Sequence, residues 1–102
     1  MNSKKEMKTE QELADFFERL KGQLLETTTF PTSYLYKFTL PNDAAKVAQL
    51  KEVFKGTDAE ISTRTSSGGK YVGVSVKVSL TDADQVIHYY KEAGKVEGIL
   101  SL

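Results

Sequence analysis

The chain has no cysteine. Disulfides, zinc–thiolate centres, thiol nucleophiles and iron–sulfur clusters are therefore excluded. It has a single histidine, His88. Without a thiol or a second histidine, the residues for a usual nucleophile–base pair or a closed zinc site are not there. Net charge is missing too: 14 basic residues balance 14 acidic ones, and they are interspersed along the chain. Binding to nucleic acid regardless of sequence draws on a basic excess or stripe, so the balance argues against nucleic acid while leaving room for a local patch. No apolar run approaches the ~18 residues of a membrane-spanning helix, and no membrane association is expected. No apolar segment follows the lysines of residues 1–8, so no signal peptide is expected. The expected location is the cytoplasm, which suits a chain without cysteine.

What remains is enough for one folded domain. The chain has 102 residues, 39% hydrophobic and 27% charged, a composition that fits a globular unit and not a disordered one.

Residues 1–8 are polar and read as a flexible N-terminus. A helix is expected over 9–26. Thr9 and Glu12 have capping-box spacing, and Leu13, Phe16, Phe17, Leu20 and Leu24 follow at helical intervals. Gly22 weakens the end of that helix. Phe30-Pro31 then reads as extended chain. Tyr34, Tyr36, Phe38 and Leu40 alternate with Leu35, Lys37 and Thr39, the period of a strand with one buried face. After Pro41, Asn42 is the expected N-cap of a helix carrying Ala44, Val47, Ala48, Leu50, Val53 and Phe54 on its apolar side, ended by Gly56. A weak strand over 59–65 leads into the turn cluster Ser66-Ser67-Gly68-Gly69. Val72, Val74, Val76, Val78 and Leu80 then mark the clearest strand. Thr81 is the expected cap of a third helix with the stripe Ala83, Val86, Ile87 and Tyr90, ended by Gly94. Residues 96–102 are expected to form a last strand.

From Phe30 onward the order is βαββαβ. The expected class is α+β: a ferredoxin-like domain over 30–102, with a four-stranded antiparallel sheet and two helices on one face, plus the extra N-terminal helix. The expected core is Tyr36, Phe38, Leu40, Val47, Leu50, Phe54, Ile61, Val72, Val74, Val76, Val78, Val86, Ile87, Tyr90 and Leu100.

Few groups suggest chemistry. Gly68-Gly69-Lys70 lacks the Ser or Thr that follows the lysine of a phosphate loop, and it joins strand to strand, so it reads as a hairpin. His88 shares a helix face with Asp84 and Glu92, which reads as a solvated polar stripe. The carboxylates of Glu10, Glu12, Asp43, Asp82 and Asp84 sit at helix starts, where they suit the helix dipole. No catalytic residue, cofactor-binding residue or metal ligand is expected, and no cofactor. If the valines of the long strand face the helices, Lys37, Arg64 and Lys77 lie on the open face as candidate contacts for an anion or a nucleic acid. The aromatic residues Tyr36 and Phe38 then face inward, which argues against the base stacking of an RNA-recognition module.

Phe30-Pro31, Tyr34, Tyr36 and Lys37 resemble the opening motif of the small bacterial YbeD-like proteins, sometimes labelled lipoate regulatory proteins. Residues 66–76, from Ser66 through Gly68-Gly69-Lys70-Tyr71 to Val76, resemble the same family's hairpin and central strand. The resemblance runs from Phe30 to Leu102 and implies a ferredoxin-like fold akin to ACT-type regulatory domains, which bind small ligands at interfaces between domains. It implies no established activity. Gly73 stands where such proteins often carry a small polar residue. Pro41-Asn42-Asp43 stands where ACT domains commonly place glycine, so that loop does not support an ACT-type ligand site.

The expectation is a non-enzymatic regulatory or interaction module that binds an unknown protein partner or a small effector. The alternative is a nucleic-acid-binding module using the open face. Phe16, Phe17, Leu20 and Leu24 form a stripe too apolar to leave in water. They are candidates for contact with a partner, with a second copy in a homodimer, or with the chain's own open face near Leu35 and Ile99.

Overall fold

The computed structural model describes residues 10–100. Residues 1–8 and the expected cap Thr9 lie outside the described residues, as do positions 101–102 of the expected last strand. Six elements follow in order: α1 (Glu10–Thr27), β1 (Thr32–Pro41), α2 (Ala44–Val53), β2 (Glu60–Thr65), β3 (Tyr71–Leu80) and α3 (Ala83–Ala93). The fold is α+β, with three helices and a three-stranded antiparallel sheet in the order β1-β3-β2.

Period-two alternation sets the sheet. β1 and β3 pair without a bulge from Thr32↔Leu80 to Pro41↔Tyr71. β2 pairs with β3 from Glu60↔Lys77 to Thr65↔Val72. Facing residues of an antiparallel pair share a side of the sheet. Tyr36, Phe38 and Leu40 therefore join Val72, Val74, Val76 and Val78 on one buried side. α2 adds Leu50 and Phe54, and α3 adds Ala83, Val86, Ile87 and Ala93. Each large side chain so buried stabilises the fold by roughly 1.5–3 kcal/mol. Val47, Ile61 and Tyr90 pack against this core but are only partly buried.

Several local expectations change. Asp43, not Asn42, caps α2: its carboxylate accepts from the amides of Ala45 and Lys46. Asn42 instead donates its side-chain amide to the Gly69 carbonyl, 3.0 Å away. Asp82, not Thr81, caps α3 through the Gln85 amide, while the Gln85 side chain accepts from the Thr81 amide. A carboxylate is as good a cap as a hydroxyl, and in both cases it stands one residue closer to the helix. Ala44 and Ala48 are exposed, so the apolar side of α2 is narrower than its spacing implies. α1 runs through Gly22 to Thr27, one residue past the expected end.

No fourth strand forms among the described residues. After α3 the chain turns twice, with Val96 donating to Ala93 and Ile99 to Val96. Gly98 sits at φ +84 against the ring of Pro41. Among the described residues only the Leu100 amide reaches the free edge of β1, donating to the Thr39 carbonyl at 2.8 Å. Leu100 is 62% exposed and not a core residue; Val96, 1% exposed, takes the buried place. The turn takes up residues 96–99 of the expected strand.

α1 packs within the chain, on α3 and not on the open sheet face. Phe17 and Leu24 are buried in the common core, with Leu13, Phe16 and Leu20 packed against it. The Lys21 ammonium is 2.8 Å from the Asp84 carboxylate, and Lys91 lies 5.4 Å over the Phe17 ring. α3 offers Ile87 beside ionic partners for the flanks of α1. All three helices thus lie on one side of the sheet.

Candidate functional site

The uncovered side of the sheet is the candidate site. The register puts Leu35, Lys37 and Thr39 of β1, Gly73, Ser75 and Lys77 of β3, and Glu60, Ser62 and Arg64 of β2 on that side. Leu35–Lys77–Glu60 form one row across the three strands. Lys37–Ser75–Ser62 form the next, and Thr39–Gly73–Arg64 the third. The expected contacts Lys37, Arg64 and Lys77 therefore share one face, and all three are exposed. Among the described residues none of them forms an ion pair.

Leu35 and Tyr71 are large apolar groups on this side, 52% and 42% exposed. A shallow hollow of about 280 Å³ lies among Leu35, Glu60, Ser62, Ser75 and Lys77, with Ile61 at its edge. Gly73 lies in the next row beyond the hollow, where a Cβ would meet nothing nearer than the Arg64 carbonyl at 3.7 Å. At one end Asp58 accepts from the Ser79 amide at 3.0 Å. Hydrogen bonding from Ser79 holds the Asp58 carboxyl below the usual carboxylate range. Glu60 is the member of the face that the alternation signalled but that was not singled out, because the strand around it is the weakest in the sequence. The face carries three cations against one carboxylate on its strands, within a chain of zero net charge.

The other groups with chemical potential are occupied structurally. Gly68-Gly69-Lys70 is the tip of a hairpin, with Gly69 at φ +75. The Gly69 amide donates to Ser66, and the Lys70 carbonyl accepts from Asn42. The loop thus turns carbonyls toward Asn42 and offers no cradle of amides to a phosphate. His88 is exposed on α3, while Asp84 is paired with Lys21 and Glu92 with Lys95. Among the described residues no three of His, Asp and Glu gather as a metal site would need. The buried phenol of Tyr36 donates to the Val86 carbonyl at 2.9 Å. The hydroxyls of Tyr34 and Tyr90 lie 3.2 Å apart. Burial raises the pKa of Tyr36 and of Tyr90 well above the ordinary phenol value. Of the proposed partner-binding stripe, Phe17 and Leu24 are buried under α3 and Phe16 and Leu20 are half-buried. Among the described residues no helix is long and apolar enough to cross a membrane.

Comparison with known proteins agrees with this architecture. An ACT domain from a GTP pyrophosphokinase of Chlorobium tepidum superposes with a TM-score of 0.51 over 69% of this chain and 95% of its own, at 14% identity. At that identity the likeness concerns the fold alone. A UPF0250 protein of Enterobacter sp. (strain 638) is 31% identical over 81 residues, 76% of this chain and 93% of that protein. The UPF0250 protein YbeD of Escherichia coli O157:H7 matches to the same extent, as does YbeD of Shigella boydii serotype 18. The family described as protein of unknown function DUF493 matches residues 26–101, which spans the whole sheet, α2 and α3 and leaves out nearly all of α1. On this match the chain belongs to the DUF493 family, and it is similar to the UPF0250 YbeD proteins.

Proposed function

We propose that the chain is a non-enzymatic regulatory or interaction module that binds an anionic effector, or an acidic segment of a protein partner, on the open face of its sheet. One observation carries this reading: Lys37, Lys77 and Arg64 stand exposed and without ionic partners on the face that holds the partly apolar hollow of Leu35, Ser62 and Ser75. Unpaired cations beside apolar surface suit a ligand with a carboxylate or phosphate group and a small apolar part. The ACT-like architecture supports a binding role by analogy of fold.

The test is titration of the full chain, followed by amide and side-chain NMR, with pools of amino acids, nucleotides and acidic peptides. Binding should shift the resonances of Leu35, Lys37, Ser75 and Lys77 and be lost in Lys37→Glu/Lys77→Glu. Saturable binding that leaves those resonances unmoved would sink the assignment of the face. A second reading, single-stranded RNA, is favoured by Tyr71, which lies outward on the same face, one row beyond Arg64. It is opposed by the inward placement of Tyr36 and Phe38, which removes the stacking positions on β1. Salt-dependent retardation of single-stranded RNA that is lost in Tyr71→Ala would favour this second reading over the first.

A further inference from the structure

β2 is a six-residue edge strand, and among the described residues nothing pairs with its outer side. Such an edge presents a row of free backbone donors and acceptors about 20 Å long. Soluble proteins blunt edges with proline, lysine, a bulge or a charge turned toward the core side. β2 has no proline, lysine, bulge or inward charge, and its two outward charges, Glu60 and Arg64, are of opposite sign. Its sequence is Glu60-Ile61-Ser62-Thr63-Arg64-Thr65, its register with β3 is unbroken, and its core-side residues are Ile61, Thr63 and Thr65. Nor does a helix cover it: the groove between α2 and β2, about 330 Å³ and lined by Val47, Ala48, Lys51, Thr63, Thr65 and Val72, lies open.

We propose that β2 pairs antiparallel with β2 of a second copy of this chain, about a two-fold axis through Ser62. The strand's charge pattern selects both the occupant and the register. With the axis at Ser62, Glu60 of each copy faces Arg64 of the other, so the strand's two charges complement each other twice. Ile61 faces Thr63 on the core side, and Ser62 faces its own counterpart. Among the described residues neither Glu60 nor Arg64 has an ionic partner within its own chain. A shift of the register by one residue would place the axis between positions and lose both charge pairs. In the paired form the two sheets become one of six strands, with both open faces on the same side and both helical layers on the other. Such pairing takes up Arg64 but leaves Lys37 and Lys77 of the open face free, and it requires no effector there.

The experiment is sedimentation of the full chain from micromolar to millimolar concentration. The mass should rise from one chain to two. Glu60→Arg alone sets like charges opposite each other twice, as does Arg64→Glu alone; each should weaken association by about tenfold or more. An equimolar mixture of the two variants regains both opposite-charge pairs and should dimerise as the unaltered chain does. That recovery also shows that both variants are folded. A chain that stays monomeric throughout would overturn the proposal. So would a dimer indifferent to the single reversals, or a mixture that fails to recover. Hydrogen-exchange protection of the β2 edge amides in the monomer would likewise overturn it, because another part of the same chain would then occupy the edge.

Discussion

The hydroxyl of Tyr36 donates to the carbonyl oxygen of Val86 across 2.9 Å, tying β1 to α3 at the centre of the core. Tyr36 is fully buried, and its ring stacks on Phe38 with centroids 5.5 Å apart and 12° between planes. Tyr36→Phe keeps the ring contacts and removes only this bond. It should lower stability by about 1 kcal/mol, the usual net worth of one buried hydrogen bond, measured as a shift of the urea midpoint at unchanged slope.

Alkali should unfold the protein. Burial raises the pKa of the phenols of Tyr36 and Tyr90. A phenol whose folded pKa lies above its unfolded value, about 10, stabilises the fold fully below that pH, and the contribution is lost as pH rises beyond it. Stability governed by these two groups should therefore be flat from neutrality to about pH 10 and then fall. Phenolate absorbance should show Tyr36 and Tyr90 ionising only with unfolding. Free titration of all five tyrosines in the folded state would contradict the burial.

α1 belongs to the folded unit. Phe17, 8% exposed, touches the ammonium of Lys91 and packs beside Phe16 at 5.3 Å. Phe17→Ala should lower stability by about 3 kcal/mol. Leu25→Ala, at a position 63% exposed, should change it by less than about 0.5 kcal/mol. Removing residues 1–27 should lower the thermal midpoint to an extent independent of protein concentration. Equal effects of the two alanines would place α1 outside the core.

Gly98 is fixed by its surroundings. Its φ is +84, and a Cβ there would stand 2.8 Å from the Pro41 Cγ. Gly98→Ala should lower stability by about 1–3 kcal/mol from backbone strain alone and loosen the Leu100–Thr39 hydrogen bond, read as faster exchange of the Leu100 amide. Gly68→Ala, with open space around it, should leave both unchanged.

How much of this was legible in the sequence differs by element. The alternation around Tyr36 and Val74 determines which side of the sheet is buried, because a period of two admits only two faces and the apolar one must be covered. The same logic places Lys37, Lys77 and Arg64 together on the other side. The 3.6-residue stripe of α3 determines its buried line in the same way. The caps were legible only to within one residue, since Asn42 and Asp43, or Thr81 and Asp82, are adjacent residues that can each cap a helix.

The tertiary structure decided what depends on contacts between distant residues. The apolar stripe of α1 states that it must be covered but not by what. The choice of α3 over the open sheet rests on Ile87, Asp84 and Lys91 lying together on one helix face, where they match Phe17 and Lys21. The expected fourth strand is absent among the described residues for a similar reason. The contact of Gly98 with Pro41 turns the chain, and among the described residues Leu100 alone then reaches β1. Local pattern determines which side of an element is apolar; which neighbour covers that side is decided by shape and charge brought together only when the chain has folded.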